Sequence, residues 1–374
     1  MTRPINHIAF AATSDLSFDQ RMHRICLAYC EMGHEVQLYG RKLTESPPLD
    51  QRPYHQFRFS CFFQKGKLFY LEFNLRLFLR LFRTRPAAIW AADLDTMAAA
   101  TLIKWLTGAI LVYDAHEYYT ETPELEGRPV ARKIWETLAR WAIPKADYAI
   151  TVSESLAEML QARYCRPFLT IRNVPLHREV NTLEVKKAIP KVILYQGVLN
   201  AGRGLEIAIL AMHHLSDMQL WLAGEGDLSG ELRSQVRDEK LENRVRFLGK
   251  LNPEVLALLT PEAFIGINLL DRSSKSYYYS LANKTFDYVQ AGIPSIHLDF
   301  PEYRRLNTRW ECFILLPELS TEKLVGAIRE ALEHPGYYEK LCHNCREAAK
   351  EWHWEKEKVA LPALLPIEAT LEKG

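Results

Sequence analysis

The chain has 374 residues, more than one typical domain, with 48% hydrophobic and 25% charged residues, which excludes a disordered or fibrous protein. Its formal net charge of +1 excludes a global electrostatic pull toward nucleic acid, so a charged ligand has to be met by a local patch. Met1-Thr2-Arg3-Pro4 leads straight into a strand-like run with no signal-peptide pattern, and no apolar run approaches the ~20 residues that cross a bilayer. Seven scattered cysteines, an odd number, point to reduced thiols and a cytoplasmic protein. Cys342-x-x-Cys345 lies in a helical pattern without a second CxxC or a His pair at metal spacing, and reads as structural.

In chain order, strand patterns fall at residues 5–12, 34–40, 88–92, 110–114, 148–152 and 168–172. Helical patterns lie between most of them, such as 20–32 ending at Gly33 and 128–143 ending before Pro144. This alternation implies parallel strands joined by crossovers, an α/β doubly wound sheet. Residues 66–85, GKLFYLEFNLRLFLRLFRTR, stand apart: Leu, Phe and Tyr recur through them, with Arg76, Arg80 and Arg83 at helical spacing. Such a segment reads either as a packing helix whose arginines snorkel into solvent or as a basic amphipathic helix on an anionic membrane.

Residues 175–190 are polar and turn-rich and read as a linker. The alternation restarts with strand patterns at 192–195, 219–223, 245–248, 264–270, 295–299 and 313–316, and residues 337–372 are helical and charged. The expected organisation is therefore two Rossmann-like domains, 1–174 and 191–350, facing across a cleft. The last segment, 351–374, is expected to pack back on the first domain.

Several strand ends carry candidate chemistry. Tyr195-Gln196-Gly197-Val198-Leu199-Asn200-Ala201-Gly202-Arg203-Gly204 reads as strand, glycine turn and helix start, with Arg203 offering a planar fork to phosphate oxygens. No Gly-Lys-Ser/Thr follows and the pattern is not GxGxxG, which argues against a P-loop and against a nicotinamide or flavin oxidoreductase. Leu222-Ala223-Gly224-Glu225-Gly226-Asp227 and Phe247-Leu248-Gly249-Lys250 end the next two strands. Then comes KSYYYSLANKTFDYVQAGIP, residues 275–294, where Lys284 enters a short helix whose free N–H groups suit an anion. In the first half, Asp114-Ala115-His116-Glu117 places a His and two acids at a buried strand end. Asp93-Leu94-Asp95 has metal-like spacing, but Asp95-Thr96 reads better as a helix N-cap, so no metal is assigned.

Taken in order, the motifs SFDQRMHR, MGHEVQLYGR, ADLDT, VYDAHEYYTE, ADYAITVSESLAEML, IRNVP, YQGVLNAGRGLE, LAGEGD, VRFLGKL and SLANKTFDYVQAGIPSI cover nearly the whole chain. They resemble the retaining nucleotide-sugar glycosyltransferases of family 4, which have the GT-B fold. The resemblance implies that His116 approaches the donor sugar and that Arg203 with Gly204, and Asn283 with Lys284, meet the donor diphosphate. It further implies Asp287 on the ribose, Lys250 near the base, Gly197 and Gly224 beside the donor, and Asp19, Arg21 and Glu117 at the acceptor and reacting centre. Tyr279 stands where the family often has the first of two glutamates eight apart. Ser280-Leu281-Ala282 replaces its Gly-Leu-Pro turn, Val198 replaces a basic residue, and Leu16-Ser17-Phe18-Asp19 replaces an N-terminal Gly-Gly loop.

The activity implied is transfer of a sugar from a UDP- or GDP-type donor to a glycan or lipid-linked acceptor, with retention and without cofactor or metal, as in polysaccharide biosynthesis. No nucleic-acid partner is implied, and residues 66–85 would bring the enzyme to the inner face of the cytoplasmic membrane. The alternatives are a nucleotide-sugar 2-epimerase of the same fold, or an inactive binding subunit, which the changes at Tyr279 and Val198 would suit.

Overall fold

The computed structural model describes residues 6–17, 19–177 and 190–366. Most of the expected linker, the tail beyond residue 366, Phe18 and the first residue of the first strand pattern lie outside them. The chain divides into two compact units: residues up to Arg172 together with those from Lys358 onward, and Asn173–Glu357.

In the first unit, strands β1 (His7–Ala11), β2 (Glu35–Lys42), β3 (His55–Ser60), β4 (Ala88–Ala92), β5 (Ile110–Ala115), β6 (Tyr148–Thr151) and β7 (Leu169–Thr170) form one sheet ordered β3-β2-β1-β4-β5-β6-β7. All its pairs are parallel. The centre is apolar on both faces, as a strand covered by helices on each side must be: β4, AIWAA, is buried throughout, and Phe10 of β1 is in register with Trp90. The chain winds outward to β3 and then returns to β4, so the order reverses between β1 and β4.

Strand β3 was not expected. No helix separates it from β2 among the described residues, and it is an edge strand with mostly solvated side chains, so neither alternation nor burial marks it. The tail joins this unit where the Tyr29 hydroxyl donates to the Leu361 carbonyl (2.9 Å) and Lys358 Nζ lies 3.1 Å from Glu31.

The second unit repeats the plan with β8 (Lys191–Gln196), β9 (Met218–Ala223), β10 (Val245–Gly249), β11 (Ile265–Asn268), β12 (Ser295–Leu298) and β13 (Phe313–Leu316). The order β10-β9-β8-β11-β12-β13 is again parallel and reverses between β8 and β11. Cys342 and Cys345 are both buried, and Cys345 Sγ donates to the Ile293 carbonyl (3.3 Å).

The segment with two readings is a helix, Gly66–Thr84, and its side chains divide in an unusual way. Phe69, Phe73, Leu77 and Leu81, four apart, are buried against the unit, as a packing helix requires. Leu71, Leu75, Leu79 and Phe82 nevertheless remain exposed. At 3.6 residues per turn this second apolar stripe lies roughly opposite the first.

Candidate functional site

In open α/β sheets the carboxyl ends of the strands at the reversal point form the natural crevice. In the second unit these are the ends of β8 and β11. After Gln196, Gly197 adopts φ +135°, and Gly202 and Gly204 follow at +75° and +65°, conformations that side chains resist. Gly204 caps the helix Leu205–Ala211, with Arg203 just before it. A Cβ on Gly224 would lie 1.8 Å from the Gly197 carbonyl oxygen, so the loops after β8 and β9 are in backbone contact. Gly197 N–H donates to Ala223 O (2.9 Å) and Leu199 N–H to Glu225 O (3.2 Å), which ties the two loops into one surface.

Beyond β11, the one-turn helix Lys275–Tyr278 is capped by Ser274, and the helix Asn283–Gln290 begins at Ala282, which has no capping side chain. Lys284 sits in the first turn of that helix and is buried, with its Nζ 3.9 Å from the centre of the Tyr195 ring and no hydrogen-bond partner among the described residues. A Cβ on Gly197 would stand 3.2 Å from this ammonium, so glycine is what leaves it room. Burial, and then the Arg203 charge, push the Lys284 ammonium well below the usual lysine range, against the opposing pull of Asp287. Arg203 Nε is likewise buried without a partner, and its guanidinium lies 5.9 Å from the Tyr277 ring centre. Two cations thus converge on Tyr195, one from each side of the reversal point, and their like charges repel. That excess of positive charge is chemically suited to a diphosphate.

Asp287, one turn after Lys284, accepts from Gln196 Nε2 (2.8 Å), and Gln196 Oε1 accepts from the Thr260 hydroxyl (3.0 Å). Gln196 and Tyr195 were missed as individual site residues, although the motif containing them was recognised; a polar residue at the end of a buried strand was the available signal. Tyr279 is half-buried, edge-on to Tyr278 with ring centres 5.1 Å apart, and the Ser280 hydroxyl donates to the Tyr277 carbonyl (2.8 Å). Asn283 and Lys250 are exposed, Lys250 at the end of β10.

In the first unit, the ends of β4 and β5 carry a charged cluster. Asp114 is fully buried and accepts a bidentate pair from Arg21 (Nε 3.0 Å, Nη2 2.8 Å) and a third bond from Trp90 Nε1 (3.1 Å). Arg21 is itself buried and sends its remaining nitrogen to the Ile171 carbonyl (2.8 Å), so it braces Asp114 from within the unit. His116 lies between two carboxylates, with Nδ1 3.4 Å from Asp93 and Nε2 3.4 Å from Asp114. These are ion-pair distances rather than good hydrogen bonds, and Nε2 lacks a hydrogen-bond partner among the described residues. Burial favours the neutral ring, but the Asp93 and Asp114 charges outweigh it and bring His116 up to about 9. Burial also acts against the Asp114 carboxylate, yet Arg21 and His116 hold it below the usual range.

Asp93 adopts φ +56°, rare outside glycine, and is held there by its N–H on Asp114 O (2.8 Å) and its carboxylate on the His116 N–H (3.0 Å). The expected capping role of Asp95-Thr96 does not occur. Asp95 instead accepts from Thr13 (2.5 Å) and Tyr119 (3.4 Å), and the Thr96 hydroxyl donates to Ala92 O. Tertiary partners from beyond the ends of β1 and β5 outcompete the local cap. Burial, reinforced by Asp93, raises the Asp95 carboxyl to about 7. Asp19 is half-buried and does cap the helix Gln20–Glu31, accepting from Met22 N–H (3.1 Å) and Ser14 Oγ (2.8 Å), while Glu117 is exposed beside His116. Among the described residues, no group of three or more His, Cys, Asp or Glu side chains could hold a metal ion.

Two family models match in succession: a glycosyl transferase 4-like domain over residues 19–175, and glycosyl transferases group 1 over residues 180–352. Comparison with curated protein sequences returns no match. Among solved structures, a sucrose-phosphate synthase from Thermosynechococcus elongatus is similar at 18% identity and TM-score 0.79, covering 96% of this chain and 98% of its own. HepE of Anabaena, solved in complex with UDP-glucose, is similar at 14% identity and TM-score 0.74 over 96% and 99%. WaaG, a glycosyltransferase involved in lipopolysaccharide biosynthesis, is similar at 14% identity and TM-score 0.72 over 97% and 100%. With both of its units matched by glycosyltransferase models and its fold shared with these structures, the chain is a GT-B-fold glycosyltransferase related to the glycosyl transferase 4-like and group 1 families, which handle nucleotide-sugars.

Proposed function

We propose that the enzyme moves a sugar from a nucleoside diphosphate sugar to a glycan or lipid-linked glycan acceptor, retaining the anomeric configuration. The observation that carries this reading is the buried, unpartnered Lys284 ammonium next to Arg203 at the reversal point of the second sheet. As the bond between sugar and diphosphate breaks, negative charge grows on the leaving oxygens. Two pre-placed cations and the open first turn of the Lys284 helix stabilise that charge with no reorganisation and without a metal. Asp287, steadied by Gln196, serves the ribose hydroxyls, and the Gly197 and Gly224 loops let the backbone approach the donor. His116, held as a cation between Asp93 and Asp114, serves the sugar, with Asp19 and Glu117 on the acceptor side and Arg21 as the brace of Asp114. The UDP-glucose bound by HepE supports the donor class. Retention rests on the family resemblance and on attack from the face that the diphosphate leaves.

The test is titration with UDP, GDP and their sugars, followed by transfer assays in which proton NMR reads the anomeric configuration of the product. Binding of one nucleoside diphosphate should raise the melting temperature by mass action. Arg203→Ala leaving donor binding intact would refute the phosphate assignment. Release of free epimerised sugar without an acceptor would identify a 2-epimerase instead.

The acceptor side includes an anionic membrane surface. Apolar side chains are also exposed on the helix Met97–Thr107, which packs beside Gly66–Thr84, and on Pro129–Ala142, which packs on Met97–Thr107, with Leu71 68%, Trp105 81% and Val130 73% exposed. These three helices carry eight basic residues and two acidic ones, Glu72 and Glu136, and both acids are already paired with arginines. Apolar side chains within a positive field suit the interface of an anionic bilayer. No helix among the described residues is long and apolar enough to cross a membrane. Sedimentation with phosphatidylglycerol vesicles, and not with phosphatidylcholine vesicles, is the expected result, lost in Leu71→Glu/Trp105→Glu. Equal binding to both lipids, or a concentration-dependent dimer that the double variant abolishes, would refute it.

A further inference from the structure

Beneath the Lys284 helix lies a buried polar chain that no step of the proposed reaction uses. Tyr303, on the helix Pro301–Trp310, is fully buried, yet its hydroxyl accepts two hydrogen bonds: from Asn268 Nδ2 (2.8 Å) and from the Ala282 backbone N–H (3.1 Å). Asn268 is the last residue of β11, and its amide also lies 3.4 Å from His297 Nδ1. His297 Nε2 pairs with the Ser295 hydroxyl (2.8 Å), and the imidazole stacks on the Tyr303 ring with centres 4.3 Å apart. Burial, helped by the Lys284 charge, brings His297 down to about 3. The ring is therefore neutral, and a proton on Nε2 leaves Nδ1 to accept from Asn268.

Each link in this chain fixes the next. Ser295 and Asn268 set the imidazole, the imidazole and Asn268 set the phenol, and the phenol captures the N–H of Ala282. Ala282 is where the Lys284 helix begins, and it has no side chain with which to cap that helix itself. Its position therefore depends on Tyr303, and so does the aim of the first turn.

We infer that Tyr303 is a positioning residue for the donor diphosphate: its hydroxyl holds Ala282 so that Lys284 and the first helical turn keep their aim at the phosphates. This rests on the nucleotide-sugar reading above. Removing the hydroxyl leaves the aromatic stack in place but strands one Asn268 N–H in a buried site and the Ala282 N–H in a half-buried one. The stretch through Ser280 and Ala282 must then shift to find other partners. The loss falls on phosphate recognition by the first turn, while the nucleoside half, met by Asp287 one turn further along the helix, where Gln196 holds it independently, and by the loops after β9 and β10, is spared.

The experiment is ligand-observed NMR titration of the full chain with UDP and uridine, and with GDP and guanosine, using wild type, Tyr303→Phe and Asn268→Ala, with thermal melts as the control for folding. Tyr303→Phe should weaken the preferred nucleoside diphosphate by about tenfold or more and leave its nucleoside within about twofold. Asn268→Ala, which keeps the bond to Ala282, should weaken it less. The donor KM should rise in Tyr303→Phe. Diphosphate binding within about twofold of wild type in Tyr303→Phe, or equal losses for nucleoside and diphosphate in both variants, would overturn the inference. Absence of diphosphate binding to wild type would instead overturn the nucleotide-sugar reading itself.

Discussion

Lys284 Nζ rests 3.9 Å from the centre of the Tyr195 ring and has no hydrogen-bond partner among the described residues, so only that π face and the more distant charge of Asp287 favour it in a buried site. A cation held this way is costly to the empty protein and valuable once an anion arrives.

Lys284→Met should therefore move stability and binding in opposite directions. Replacing a buried, uncompensated ammonium with an apolar chain of similar length should stabilise the ligand-free protein by about 1–3 kcal/mol. Donor diphosphate binding should fall by about 1.5–3 kcal/mol, roughly 10- to 100-fold. Thermal melts with and without UDP or GDP read both effects, and a fall in the ligand-free melting temperature would contradict the account of Lys284.

Proton linkage follows from the same geometry. Burial, and then Arg203, depress the Lys284 ammonium, and a bound diphosphate favours the charged form again, so binding should take up protons. Affinity should be greatest below the depressed value and decline as pH rises through it. Calorimetry in two buffers of different ionisation enthalpy measures the uptake, and Arg203→Ala should reduce it.

The first unit should lose stability as pH rises. His116 binds its proton more tightly in the folded chain, at about 9 against an ordinary 6.5, so its contribution is complete below 6.5 and lost as pH rises through about 9. Asp95, raised to about 7 from 3.8, acts in the same direction over the lower window. His116→Gln should flatten the decline between 6.5 and 9, an effect on the order of 3 kcal/mol, and Asp95→Asn should flatten the decline below 7. Urea melts at a series of pH values provide the check.

Gly224→Ala should be among the most damaging single-methyl changes in the chain. Its Cβ would fall 1.8 Å from the Gly197 carbonyl oxygen at a backbone φ of +153°, so backbone must move on both loops. A loss above about 3 kcal/mol is expected, larger than most surface substitutions. Gly230→Ala, which meets nothing within 4 Å, is the control and should be nearly neutral in a chemical melt.

Local order was written plainly in the chain. Alternating apolar runs and amphipathic helices located every strand except β3, because burial on both faces imposes a pattern that needs no knowledge of partners. Glycine turns at Gly197, Gly202 and Gly204, and the one-turn spacing of Lys284 and Asp287, likewise depend on backbone geometry within a few residues. Strand β3 was missed because pairing with β2, rather than any pattern of its own, makes it a strand.

Who meets whom was decided by the sheet. Arg21 and Asp114 are 93 residues apart in sequence, and only the adjacency of β1, β4 and β5 brings the charge of one to the other. Asp95 has the sequence signature of a helix cap, but Thr13 from beyond β1 claims its carboxylate. The same holds for Lys284. Its sequence neighbours mark it as a lysine entering a helix, and only the reversal of strand order between β8 and β11 sets it over Tyr195 beside Arg203. Periodicity reports which side of an element is apolar, whereas the field at a charged group depends on distances that only the packed sheet establishes.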